Sequence, residues 1–153
     1  MPGQESAGFL HDNAPYLKIG QGPPLVLVPG LTPAHDVPRG WQRQAALASA
    51  RPLARDFTVY VVNRRQGLQP GESMSDIAGH LANAIEHDLG QPVFLQGTST
   101  GGSVALQLAV DRPDLVRRLV HLYCDNCRHM VSVYDEDGAC VCCGSPLKKT
   151  AQS

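Results

Sequence analysis

Between residues 23 and 122, short and nearly continuous apolar runs alternate with longer amphipathic ones. The runs "PLVLVPG" (24–30), "FTVYVVNRR" (57–65), "PVFLQG" (92–97) and "RLVHLY" (118–123) predict strands covered on both faces, as in a parallel sheet. "YLKIG" (16–20) predicts a short antiparallel strand ahead of them. The intervening segments carry helical periodicity. Over 72–90, Ile77, Leu81, Ile85 and Leu89 recur at spacing four, Ser73 can cap the start with Asp76 three residues on, and Gly90 ends the pattern. Residues 102–113 predict a short apolar helix stopped by Pro113, and 41–56 a helix broken at Pro52. Strands and helices alternating at these lengths imply βαβ crossovers. The expected fold is therefore α/β, a three-layer arrangement around a parallel sheet.

After Tyr123 the pattern changes. "CDNCRHMVSVYDEDGACVCCGSPLKKTAQS" has no helical period. It reads as a knuckle, a strand "HMVSVY", a turn at "DEDG", a returning strand "ACV" and a second knuckle, with "LKKTAQS" as a frayed tail. The chain thus divides into 1–122 and 123–153. All five cysteines lie in the second part. Cys124 and Cys127 form one C-x-x-C pair, Cys140 and Cys143 another, with twelve residues between the pairs. Four thiolates at that spacing suit one tetrahedral, structural Zn²⁺, and the segment resembles a zinc ribbon. A ligand set using Cys142, a redox dithiol and simply reduced cysteines are the alternatives. A catalytic zinc is disfavoured, because four thiolates leave no open position. The acidic hairpin tip and the lack of a basic face with aromatics argue against nucleic acid as the partner.

Composition narrows the picture further. A chain of 153 residues buries roughly 68–70% of its unfolded surface, enough for a core. With only 5% aromatic residues, that core must be built from Leu, Val, Ile and Ala. A net charge of −1 gives no global field toward nucleic acid or anionic lipid. No apolar run approaches the ~18 residues of a membrane span, and the first residues lack a secretory pattern, so a cytoplasmic location is expected.

The chemistry concentrates at "QGTSTGG" (96–102), where Gly97-Thr98-Ser99-Thr100-Gly101 fits G-x-S-x-G between an apolar strand and an apolar helix. Such a serine turns sharply out of the strand, and side chains at 97 and 101 would collide with the neighbouring elements. The same letters also fit a plain helix N-cap with tight packing. Three motifs in order, "LVLVPGLTP", "VYVVNRRQGL" and "QGTSTGGSVALQLAVDRPDLVRRLVHL", resemble the N-terminal half of the α/β-hydrolase family over about 15–122, closest to its esterase-like members. The resemblance implies Ser99 as nucleophile, an oxyanion hole from the N–H groups of Leu31 and Thr100, and a small ester or acyl substrate. It also implies an acid and a histidine later in the chain, where only about thirty residues of different character follow. Asp125, His121, His129 and His35 are weak stand-ins, and activity is expected to be impaired. His11, His80 and His87 read as solvated surface residues. The competing expectation is a non-catalytic half-domain whose ribbon contacts a protein partner. Either way, "LVHLY" is expected to form an apolar sheet edge, covered by the cysteine-rich segment or by another copy or partner.

Overall fold

The computed structural model describes residues 4–30, 32, 34–124, 129–131 and 148–152; from 120 onward the description is of the backbone. Among the described residues, eight strands form one mixed sheet. They are β1 (Ser6–Leu10), β2 (Ala14–Gly20), β3 (Pro24–Val28), β4 (Thr58–Val62), β5 (Val93–Gly97), β6 (Val116–Cys124), β7 (His129–Val131) and β8 (Lys148–Gln152). The order is β1-β2-β4-β3-β5-β6-β7, with β8 also on β6. The centre is parallel, β3 pairing with β4 and β5, and β5 with β6. Both flanks are antiparallel: β1 and β2 on one side, β7 and β8 on the other. The expected parallel centre is thus present, and the antiparallel strand expected at 16–20 is β2.

The strands alternate as their sequences dictate. In β3, Val26 and Val28 face one layer, while Leu25 and Leu27 face the other. The first layer holds α2 (Met74–Ala84) and α3 (Thr100–Asp111); the second holds α1 (Gly40–Ala50). Leu81, Ile85, Val104 and Leu108 bury against Val26, Val28, Val93 and Leu95. Leu47 and Ala50 of α1 bury against Leu17, Ile19, Leu25 and Val59.

Helix boundaries follow local chemistry. Ser73 and Asp76 form a capping box at the start of α2, each side chain accepting from the other's backbone N–H. The helix widens into a π turn over Ile85–Leu89 and ends at Gly90, whose φ of 61° is the left-handed cap glycine allows. Helix α1 stops at Ala50, before Pro52, and Pro113 opens a short 3₁₀ turn after α3.

One strand was unforeseen, one expectation needs correction, and one falls mostly outside the described residues. Ser6–Leu10 form β1, a strand the sequence pattern did not predict, which pairs with β2. The segment read as a frayed tail contains β8, antiparallel to β6 from Leu119↔Gln152 to Tyr123↔Lys148. The edge of β6 is thereby paired by the chain itself, which satisfies the backbone groups an open edge would expose. The proposed zinc ligands fall mostly outside the described residues. Cys124 ends β6, whereas Cys127, Cys140 and Cys143, with Cys142 and the "DEDG" turn, lie beyond them. Among the described residues, no cluster of His, Cys, Asp or Glu is arranged to hold a metal, and no helix is long and apolar enough to cross a membrane.

Candidate active site

Strand β5 delivers the chain to Gly97 at the centre of the sheet, and α3 begins only three residues later. The reversal falls on Ser99, an exposed residue with φ 52° and ψ −122°. A β-carbon normally avoids that region, and holding it there costs of order 1–3 kcal/mol. The turn is fixed on both sides. Thr98 N donates to Val28 O at 2.9 Å, while Gly101 N and Gly102 N donate to the carbonyls of Thr98 and Ser99 at 2.8 and 2.9 Å. A β-carbon on Gly97 would fall on the Gly101 carbonyl, and one on Gly101 on the carbonyls of Val28 and Pro29. The glycines of G-x-S-x-G are therefore demanded by close approach of helix to strands, as the sequence argument required. The plain N-cap alternative does not fit, because Ser99 makes no side-chain capping bond and its backbone is far from the extended geometry of such caps.

The loop after β3 closes over the same point. A β-carbon added to Gly30 would lie 3.3 Å from Ser99 Cβ and 3.8 Å from Ser99 Oγ. The other donor inferred from the resemblance, Leu31, lies outside the described residues. Thr100, the first residue of α3, stands at a helix N-terminus, where partial positive charge accumulates.

Two residues that sequence reasoning passed over hold this arrangement. Asn63, just after β4, donates from Nδ2 to Thr32 Oγ1 at 2.8 Å and accepts Arg64 N on Oδ1 at 2.8 Å. Arg64 donates from Nη1 to the carbonyls of Pro29 (3.4 Å) and Gly30 (3.2 Å), and from Nη2 to Thr100 Oγ1 (2.9 Å). Burial lowers the Arg64 guanidinium below its ordinary value. The sequence signal was the motif "VYVVNRRQGL", to which no role at the site was attached.

The histidines divide clearly. His35 is partly buried, and its pKa is lowered first by burial and then by the Arg64 charge, against a backbone hydrogen bond with Arg65. Among the residues whose side chains are described, no histidine ring hydrogen-bonds to Ser99. His80 is not the solvated residue expected: its Nε2 lies 2.9 Å from Glu72 Oε1, which Arg65 Nη2 also approaches at 3.4 Å. The His80 bond is the largest influence holding Glu72 below the usual carboxylate range. His11 and His87 are surface residues, but they stack on each other with ring centroids 4.2 Å apart. Asp125 lies outside the described residues, and His121 and His129 are described by backbone alone, in β6 and at the start of β7.

Beside the turn, on the α1 face, opens a cleft of about 520 Å³. Its lining includes Gly30 and Thr98 from the segments that meet at the turn, Leu27, Val61 and Gln96 from the sheet, and Trp41 and Ala45 from α1. Trp41, the chain's one tryptophan, is 75% exposed.

This geometry agrees with comparison to known proteins. Residues 23–133 match the model of the alpha/beta hydrolase fold family, nearly three quarters of the chain, and the protein belongs to that family. Among solved structures, it is similar to an alpha/beta hydrolase from Sphaerobacter thermophilus, with 29% identity and a TM-score of 0.55 over 74% of this chain and 43% of that one. It is also similar in fold to an epoxide hydrolase from an endophytic Streptomyces, at 20% identity and TM-score 0.55, over 76% of this chain and 35% of that one. A laboratory-evolved variant of potato epoxide hydrolase gives 18% identity and TM-score 0.59, over 76% and 39%. The chain thus spans about two fifths of the length of the hydrolases it matches.

Proposed function

We propose that the protein acts on carboxylic esters or related acyl compounds through Ser99, with turnover well below that of a complete serine hydrolase. The observation that carries this is the backbone of Ser99: an exposed serine held at φ 52° between a strand and a helix, with glycines packed too tightly to admit side chains. Strain of this kind persists where the surroundings over-determine it, and it presents Oγ to a substrate. In the proposed reaction Oγ attacks the acyl carbon and loses its proton. The oxyanion accepts from the N–H of Thr100 and of Leu31, the alcohol leaves carrying a proton, and water then releases the acid from the acyl-serine. The apolar part of the acyl group would lie in the cleft that begins at Gly30 and Thr98.

Several of the similar structures are epoxide hydrolases, and the nucleophile's chemistry separates the two substrates. A serine oxygen opening an epoxide would form an alkyl ether, which water does not cleave. An acyl-serine is an ester and turns over. Ser99 therefore favours esters.

The rate is limited by the base. The proposal assigns Ser99 no base, and the oxyanion hole with binding alone is worth ~10³–10⁴ over water. The alternative reading is a hydrolase-like domain that binds without turnover. A structural zinc held by Cys124, Cys127, Cys140 and Cys143 belongs to the proposal as well. Its support is the ligand spacing, and one metal ion per chain by elemental analysis is the expected finding. Hydrolysis of p-nitrophenyl acetate and octanoate, with styrene oxide alongside, tests the function. Slow release from the esters, lost in Ser99→Ala, with no opening of the epoxide, is expected. Ester hydrolysis unchanged in Ser99→Ala would overturn it.

A further inference from the structure

Arg64 is partly buried, and among the described residues no carboxylate pairs with it. Its neighbour Arg65 makes the ordinary arrangement, an ion pair with Glu72. All of Arg64's acceptors are neutral, and all belong to the two segments that meet at Ser99: the carbonyls of Pro29 and Gly30 after β3, and the Thr100 hydroxyl at the start of α3. Removing a cation from water without an opposite charge is unfavourable, so such an arrangement has to be held by its surroundings. Here the surroundings are firm. Asn63 accepts the Arg64 N–H and donates to Thr32, tying the end of β4 to the same loop.

We propose that Arg64 is a positioning residue for the oxyanion hole, bridging the Gly30 loop to the first turn of α3 and keeping a positive charge one hydrogen bond from Thr100. This rests on the assignment of Ser99 as nucleophile. The two oxyanion donors inferred for this chain, Leu31 and Thr100, come from separate segments, so their spacing is set only by what joins those segments. The Arg64 fork spans both, because a guanidinium presents several N–H groups in one rigid plane. It also supplies charge complementary to an oxyanion forming beside Thr100. A lysine keeps the charge but cannot bridge both segments. A methionine keeps much of the packing and loses both functions.

The full chain tests this as wild type, Arg64→Lys and Arg64→Met. Saturation kinetics of a fluorophosphonate on Ser99 separate maximal rate from half-saturating concentration, and amide hydrogen exchange reads Gly30 and Thr100 directly. For Arg64→Met, the maximal rate should fall about 10- to 100-fold, with the half-saturating concentration moving less than about twofold. Arg64→Lys should recover part of that loss. Exchange at Gly30 and Thr100 should quicken at least tenfold in the methionine variant, while the Leu81–Ile85 amides stay unchanged. A folded methionine variant that reacts as fast as wild type would overturn the proposal. If the methionine variant does not fold, the lysine variant decides, and a wild-type maximal rate there overturns it. If wild type itself does not react, the nucleophile assignment fails. Exchange alone then judges Arg64, and unchanged exchange at both amides overturns the bridge.

Discussion

On the face of the sheet under α2 and α3, Val26, Val28, Val93, Leu95, Val104 and Leu108 are each no more than 3% exposed. Under α1, Leu27, Val61 and Phe94 are only partly buried, and the cleft opens beside Leu27 and Val61. The cause lies in how much helix each face receives. Two helices cover β3, β5 and β6 on the first face. On the second, α1 with the 3₁₀ turn at Leu53–Arg55 packs mainly over β2 and β4. The strained serine is anchored to the filled face, since Gly101 of α3 presses on the backbone of Val28 and Pro29. The cleft belongs to the open face. A rigid layer holds the reacting group, and a loosely packed one leaves space for what reacts with it.

The largest expected break in this contrast is Gly101→Val. Its side chain would have to displace the carbonyls of Val28 and Pro29, and a loss of about 4 kcal/mol or more in denaturant titration is expected. Leu95→Ala, on the filled face, should cost about 2–5 kcal/mol in the same assay. Leu27→Ala, one layer away beside the cleft, should cost only about 1 kcal/mol, because little contact is lost where packing is incomplete. Equal losses for the two leucines would erase the distinction between the faces. Ser99→Gly should raise stability by about 1 kcal/mol, since glycine accepts φ 52° without strain, while abolishing reaction at this position. The smallest effect is expected for exposed Trp41→Ala, within about 0.5 kcal/mol in stability. In wild type, octanoate should still shift the emission of this single tryptophan at the cleft, and no shift would argue against ligand entry there.

The parallel centre and the α2 capping box were legible in the sequence because each rests on local pattern: apolar runs, a period near four, Ser73 with Asp76. The turn at Ser99 was legible because only glycine fits at 97 and 101. Strands β1 and β8 were not, since "SAGFL" and "KKTAQ" carry little apolar alternation and owe their strand form to pairing with β2 and β6. Arg64 escaped notice for a similar reason. Nothing in "NRR" distinguishes an arginine bound to Glu72 from one bound to the loop beside the serine; the distinction arises only when β3, β4 and α3 converge.

Intact-protein mass spectrometry after exposure to a fluorophosphonate bears most directly on the central claim, that the hydroxyl of residue 99 is the reacting nucleophile. One adduct per chain is expected on wild type, mapped to the peptide containing Ser99 and absent from Ser99→Ala. An unmodified wild-type mass, or an adduct that survives in Ser99→Ala, would contradict it.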